Sequence, residues 1–355
     1  MSPTATTATP PIDWDLAVST GHRLLRPGPV VPRAEAEATV QRLREQAVAA
    51  EAHVRALTGL DDGRAPEPAH VVDRPGWVSS AAAGLRLLVP DDFGEPPGGG
   101  SGAARRFAAR TAGVQAGVAL GFLGSRVLGQ YDPFGGDDPD RGRLVLVAPN
   151  VVAVQQALQV SADEFGMWVC LHEATHRLQF SAVPWLREHF AAEIREFLVA
   201  ASADLDTVLG PLGRLPAALR TVRRDGLSDT IGLISLLQSP EQRAAMDRLV
   251  ALATLLEGHA DHVMDAVGPS VVPSVATIRR KFTARRQGGG LADRVLRALL
   301  GIDAKLRQYA EGAAFTRHVV DAVGMRGFND VWTSPETLPT RAEIADPSAW
   351  VRRVH

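Results

Sequence analysis

Two histidines four residues apart, with a glutamate directly after the first, form His172-Glu173-Ala174-Thr175-His176, the stretch of this 355-residue chain whose residue types and spacing most demand a chemical explanation. On a helix, positions i and i+4 share a face, so both imidazoles can reach one ion while Glu173 stands beside the open coordination position. Two neutral imidazoles suit Zn²⁺, and a third protein ligand would leave one position for water. A carboxylate that does not ligate the ion can take a proton from that water and return it to a leaving group. A chance match to this pattern is expected on the order of 0.01 times in a chain of this composition. The alternative is a pair of helix-surface histidines that share no ion.

A third ligand must come from elsewhere in the chain. The metzincin extension is excluded, because Gln179 and Ala182 stand where it needs Gly and His. The stretch from Leu255 to His262 gathers Glu257, His259, Asp261 and His262 in a second helical pattern. Glu257 and Asp261 share one face, whereas His259 points about 200° round the helix from Glu257, so those two are not expected to bind the same ion. Glu257 as ligand, with Asp261 accepting the outer N–H of a ligating histidine, meets both demands of a zinc site. His259 is the rival ligand. The pairing is similar to that of the thermolysin-like gluzincins, whose second helix carries N-E-x-x-S-D; Leu256 and Ala260 replace its Asn and Ser, and Glu257 follows His176 by 81 residues. That resemblance implies that Asp261 holds His172.

The elements that must position these groups are helices. Ser161 and Glu164 form a capping box, and Met167, Leu171, Ala174 and Leu178 recur at helical spacing through the histidine motif. Ser239-Pro240-Glu241-Gln242 opens the long helix carrying Glu257, with Gly268-Pro269 as its expected end. Helices are also expected over Asp13–Leu25, Arg33–Leu57, 77–89 and Asp303–Val323. Residues 103–129 read as a helix despite Gly113, Gly117, Gly121 and Gly124, so close approach of another helix is expected to compensate. Gln115, Ser125 and Arg126 argue against a membrane span there. Leu144-Val145-Leu146-Val147 is the clearest strand, and by analogy with zincins an edge strand beside the active-site helix would receive an extended substrate.

Composition bounds the rest. With 45% hydrophobic and 22% charged residues and a net charge of −2, the chain can bury a substantial core and carries no signature of nucleic-acid binding. Met1–Pro11 is rich in Ser, Thr, Ala and Pro and lacks both a basic and an apolar region, so a disordered tail rather than a signal peptide is expected. A cytoplasmic protein is therefore expected, in keeping with the lone Cys170. We expect residues 1–11 to be tail, 12–142 an N-terminal helical region, and 143–355 the catalytic region, the last two forming one unit.

Ile12-Asp13-Trp14-Asp15-Leu16-Ala17, His172–Phe180, Leu256–Asp265 and Lys305-Leu306-Arg307-Gln308-Tyr309 together resemble the actinobacterial zincin-like metalloprotease family, in particular its branch associated by name with biosynthesis of the deazaflavin coenzyme. The resemblance spans nearly the whole chain. It implies a mainly α, zincin-like fold with a small β element and the zinc motif on the active-site helix. The resulting expectation is a peptidase in which His172, His176 and Glu257 bind Zn²⁺ and Glu173 is the general base. A metal-dependent amidase acting on a small molecule of deazaflavin metabolism and a non-catalytic binding module are the alternatives. Zincins usually add a donor to the developing oxyanion. Of the two tyrosines, Tyr309 on the late helix is favoured for this over Tyr131 in a Pro/Gly/Asp loop.

Overall fold

The structure, a computed structural model, describes residues 10–90, 93, 102–136, 138, 141–208, 240–287 and 302–355. In chain order its elements are α1 (Trp14–Leu24), α2 (Arg33–Thr58), β1 (His70–Val72), α3 (Arg74–Leu88), α4 (Gly102–Gly124), β2 (Gly129–Asp132), β3 (Arg143–Val147), α5 (Ala148–Leu158), α6 (Ala162–Ser181), α7 (Leu186–Val208), α8 (Pro240–Val271), α9 (Val275–Gln287), α10 (Ile302–Phe328), α11 (Arg341–Ala345) and α12 (Pro347–Val354). Most of the tail expected at 1–11, the Gly-rich stretch after Phe93 and, of the broken helical pieces expected across 203–226, residues 209–226 lie outside the described residues, while 203–208 continue α7. The fold is mainly helical with one small sheet. Its two compact units interleave in sequence: Met1–Pro27, Arg74–Arg126 and Ile194–Gln242 form the first, and Gly28–Asp73, Val127–Glu193 and Arg243–His355 the second.

In the first unit the glycines of α4 have a direct physical use. A Cβ on Gly113 would stand 2.5 Å from the Asp13 carbonyl oxygen, and one on Gly117 would stand 2.5 Å from that of Ala17. Only glycine lets the α1 backbone lie this close, which offsets its cost of about 1 kcal/mol in a helix interior. Asp13 caps α1 by accepting the Leu16 N–H at 3.0 Å. Among the described residues no helix is long and apolar enough to cross a membrane.

The second unit is organised around α6, which is buried on nearly every side. Leu43, Ala47, Ala50 and Val54 of α2 pack in one core with Phe165, Leu171 and Leu178 of α6 and Leu255, Val263 and Met264 of α8. Each fully buried large apolar side chain contributes about 1.5–3 kcal/mol relative to exposure. Ser161 caps α6 by accepting the Glu164 N–H, and Asp163 and Glu164 put negative charge at its N-terminus. The sheet order is β1-β3-β2, with β3 parallel to β1 and antiparallel to β2. Leu144–Val147 is therefore the central strand, not an edge. Its four residues are all buried, which is why the run is continuously apolar rather than alternating. The edge beside α6 is β2, whose Gly129 pairs with Leu146. Helix α8 continues through Pro269 to Val271, three residues beyond its expected Gly268 end, and α10 breaks at Gly324, whose φ is 73°.

Candidate metal centre

Helix α6 puts His172 and His176 one turn apart, and α8 brings Glu257 against them. One ligand atom from each residue lies within 4.8 Å of the other two. The two Nε2 atoms are 3.1 Å apart, and Glu257 Oε2 is 3.4 Å from that of His172 and 3.7 Å from that of His176. Donors about 2.0–2.1 Å from a tetrahedral zinc ion stand about 3.3 Å from one another, so the three atoms already have the spacing of one face of such a site. All three side chains are largely buried, at 15–21% exposure.

The electrostatics favour positive charge between these groups. Burial alone would lower the His176 imidazole, but hydrogen bonding and attraction from Glu257, reinforced by Glu173 and Gln179, hold it up at about 9. Burial would likewise raise Glu257, yet the two histidines hold its carboxyl well below the usual carboxylate range. A carboxylate held ionised beside two imidazoles is the donor set that borderline-soft Zn²⁺ selects.

Glu173 is 6% exposed and sits where α6 meets β2. A Cβ on Gly129 would fall 2.6 Å from Glu173 Cγ and 2.8 Å from its Oε1, so the missing side chain is what allows the strand backbone to lie on the glutamate.

Residues 12–351 match the family model described as zincin-like metallopeptidase. The chain belongs to that family. That description covers zincin-like metallopeptidases in general and names no branch. A solved structure described as a candidate hydrolase with a novel fold, from Chloroflexus aurantiacus, is similar at 30% identity and a TM-score of 0.67 over 96% of this chain and 98% of that one. No curated protein matches.

The remaining expected residues sit as follows in this chain. Asp261 does not face His172: its carboxylate lies 3.3 Å from Arg279 Nη2, and its carbonyl accepts from the same guanidinium at 2.9 Å. Opposite His172 Nδ1, at 3.3 Å, is Met264 Sδ. The reason is helical phase, since position 264 is seven residues, or −20°, from Glu257 whereas 261 is displaced by 40°. His259 is fully buried and stacks on Phe328 and Trp332, with ring centroids 5.0 and 5.6 Å away, outside the cluster of possible ligands. Tyr131 is buried with its hydroxyl donating to the Arg141 carbonyl. Tyr309 lies on α10, and its side chain is outside the described residues.

Gln179 is the site residue that sequence reasoning passed over, having been used only to exclude a metzincin. Its Oε1 is 2.9 Å from His176 Nδ1, and its Nε2 is 2.9 Å from the Leu256 carbonyl and 3.0 Å from His259 Nδ1. The available signal was its position, three residues after His176 and so on the same helix face.

Proposed function

We propose that this chain is a zinc-dependent peptidase in which His172, His176 and Glu257 hold the metal and Glu173 moves the proton. The observation that carries the reading is the spacing of 3.1, 3.4 and 3.7 Å among the three donor atoms. Zinc, when bound, supplies Lewis acidity toward a scissile carbonyl and toward water. Glu173 takes up the proton of the attacking water on a carboxylate oxygen and passes it to the departing amine. Its burial keeps that carboxylate out of bulk solvent, and Gly129 fixes the wall against which it rests. An extended peptide is favoured over a small molecule because β2 is an edge strand lying against Glu173, where a substrate backbone can add to the sheet. The single cysteine, Cys170, is a buried free thiol and suits a cytoplasmic setting.

Metal analysis and peptide-library cleavage test the proposal together. About one zinc per chain is expected in the wild type, falling sharply in His172→Ala and Glu257→Ala. Glu173→Gln is expected to keep its zinc and lose cleavage. Full zinc retention by both His172→Ala and Glu257→Ala would end this model.

A further inference from the structure

We infer that Gln179 is a positioning residue that fixes the tautomer of His176 and so aims its Nε2 lone pair at the space shared with His172 and Glu257. The inference rests on the metal-binding reading above. It begins at a group whose role admits no choice: the Leu256 backbone carbonyl can only accept, so the Gln179 atom 2.9 Å from it is the amide nitrogen. The other amide atom, 2.9 Å from His176 Nδ1, is then the oxygen, which also can only accept. His176 Nδ1 therefore carries a hydrogen. A neutral imidazole protonated there has its lone pair on Nε2, the atom 3.1 Å from His172 Nε2 and 3.7 Å from Glu257 Oε2.

His259 completes the lock. The second amide hydrogen of Gln179 points at His259 Nδ1, 3.0 Å away, which must offer its lone pair. The His259 proton then resides on Nε2, which finds no hydrogen-bond partner among the described residues and lies in the buried aromatic surround of Phe328 and Trp332. Both donors and the acceptor of the Gln179 side chain are committed, so its amide cannot flip without losing three contacts. Because Leu256 directly precedes Glu257, the same amide ties the histidine ligand of α6 to the turn of α8 that carries the carboxylate ligand. Among the described residues His172 has no equivalent: its Nδ1 faces the weakly accepting Met264 sulfur at 3.3 Å.

The test is zinc affinity, measured on the full chain by competition with a chromophoric chelator, for wild type, Gln179→Leu and Gln179→Glu. Gln179→Leu is expected to bind about 10–100-fold more weakly. Gln179→Glu keeps an acceptor for His176 Nδ1–H while losing both donors, and is expected to return to within about threefold of wild type. Equal weakening in both variants would make Gln179 a strut for α8 and overturn the inference, as would wild-type affinity in Gln179→Leu. A wild type that takes no zinc, or a His172→Ala variant that binds as well, would instead remove the metal reading itself. Nitrogen-15 ring spectra of the zinc-loaded wild type give a readout independent of how the variants fold. They are expected to show His176 bound through Nε2 with a solvent-protected Nδ1–H, and coordination through Nδ1 would overturn the inference.

Discussion

Gly258 and Gly312 bring α8 and α10 into backbone contact. A Cβ on Gly258 would stand 2.1 Å from the Gly312 carbonyl carbon, and a Cβ on Gly312 would stand 2.1 Å from the Thr254 carbonyl oxygen. Backbone cannot yield as a flexible side chain does, so any side chain at either position must push the helices apart. Glu257 is the neighbour of Gly258 and would move with its helix. Gly312→Ala is therefore expected to cost about 1–3 kcal/mol through overpacking and to weaken zinc binding at the same time. Thermal unfolding with and without zinc separates the two effects: a lowered midpoint with an undiminished zinc-dependent increment would mean that Glu257 does not depend on this crossing.

The contact between Gly129 and Glu173 leads to a different phenotype. Alanine at 129 would place its methyl 2.6–2.8 Å from the glutamate side chain, whose atoms are its three nearest neighbours, forcing the carboxylate off its seat. A displacement of about 1 Å in a reacting group can cost about 10²-fold in rate. Gly129→Ala is expected to bind zinc as the wild type does and to lose about that much in kcat. Loss of metal from this variant would show that the strand supports the ligand set rather than the proton carrier.

The contrast between these relationships and the sequence reading is physical. The grouping of His172, His176 and Glu257 was legible because helical periodicity converts spacing into direction, and the chemistry of three such donors is restrictive. Asp261 was misplaced because the choice between the i+4 and i+7 positions of α8 depends on how α8 crosses α6, which spacing along a single helix does not encode. Gln179 was passed over for a similar reason, since its value lies in partners 77 and 80 residues away. The apolar run 144–147 announced a strand, but β2, made of Gly129, Gln130, Tyr131 and Asp132, has little strand propensity, and β1 has only three residues. Without those neighbours the sheet order, and with it which strand forms the edge, could not be read. The glycines of α4 were the reverse case: their intrinsic cost was itself the clue to the close helix contact.

The buried charges that follow α2 make stability depend on pH. The Asp62 side chain is 4% exposed, and its Oδ1 accepts from Arg55 Nη2 at 2.7 Å and from the Arg64 N–H at 3.1 Å. Burial would raise this carboxyl, but the Arg64 N–H, Ser181 and the Arg55 and Arg141 guanidiniums together outweigh it and hold the group below its ordinary 3.8. A folded-state value below the unfolded one means that Asp62 contributes stability above the unfolded pKa of about 3.9, and that the contribution disappears as pH falls through the folded value. Hydrogen bonds to a charged group are worth about 1.5–3 kcal/mol each, and Asn retains part of the hydrogen bonding but none of the charge. Asp62→Asn should therefore be less stable than wild type by about 1–2 kcal/mol at pH 7, with the gap narrowing progressively below about pH 4. Urea unfolding at pH 7 and at pH 3 measures both differences. A gap of the same size at the two pH values would mean that the ionisation of Asp62 contributes nothing to folding, and that the residue acts through its shape and neutral hydrogen bonds alone.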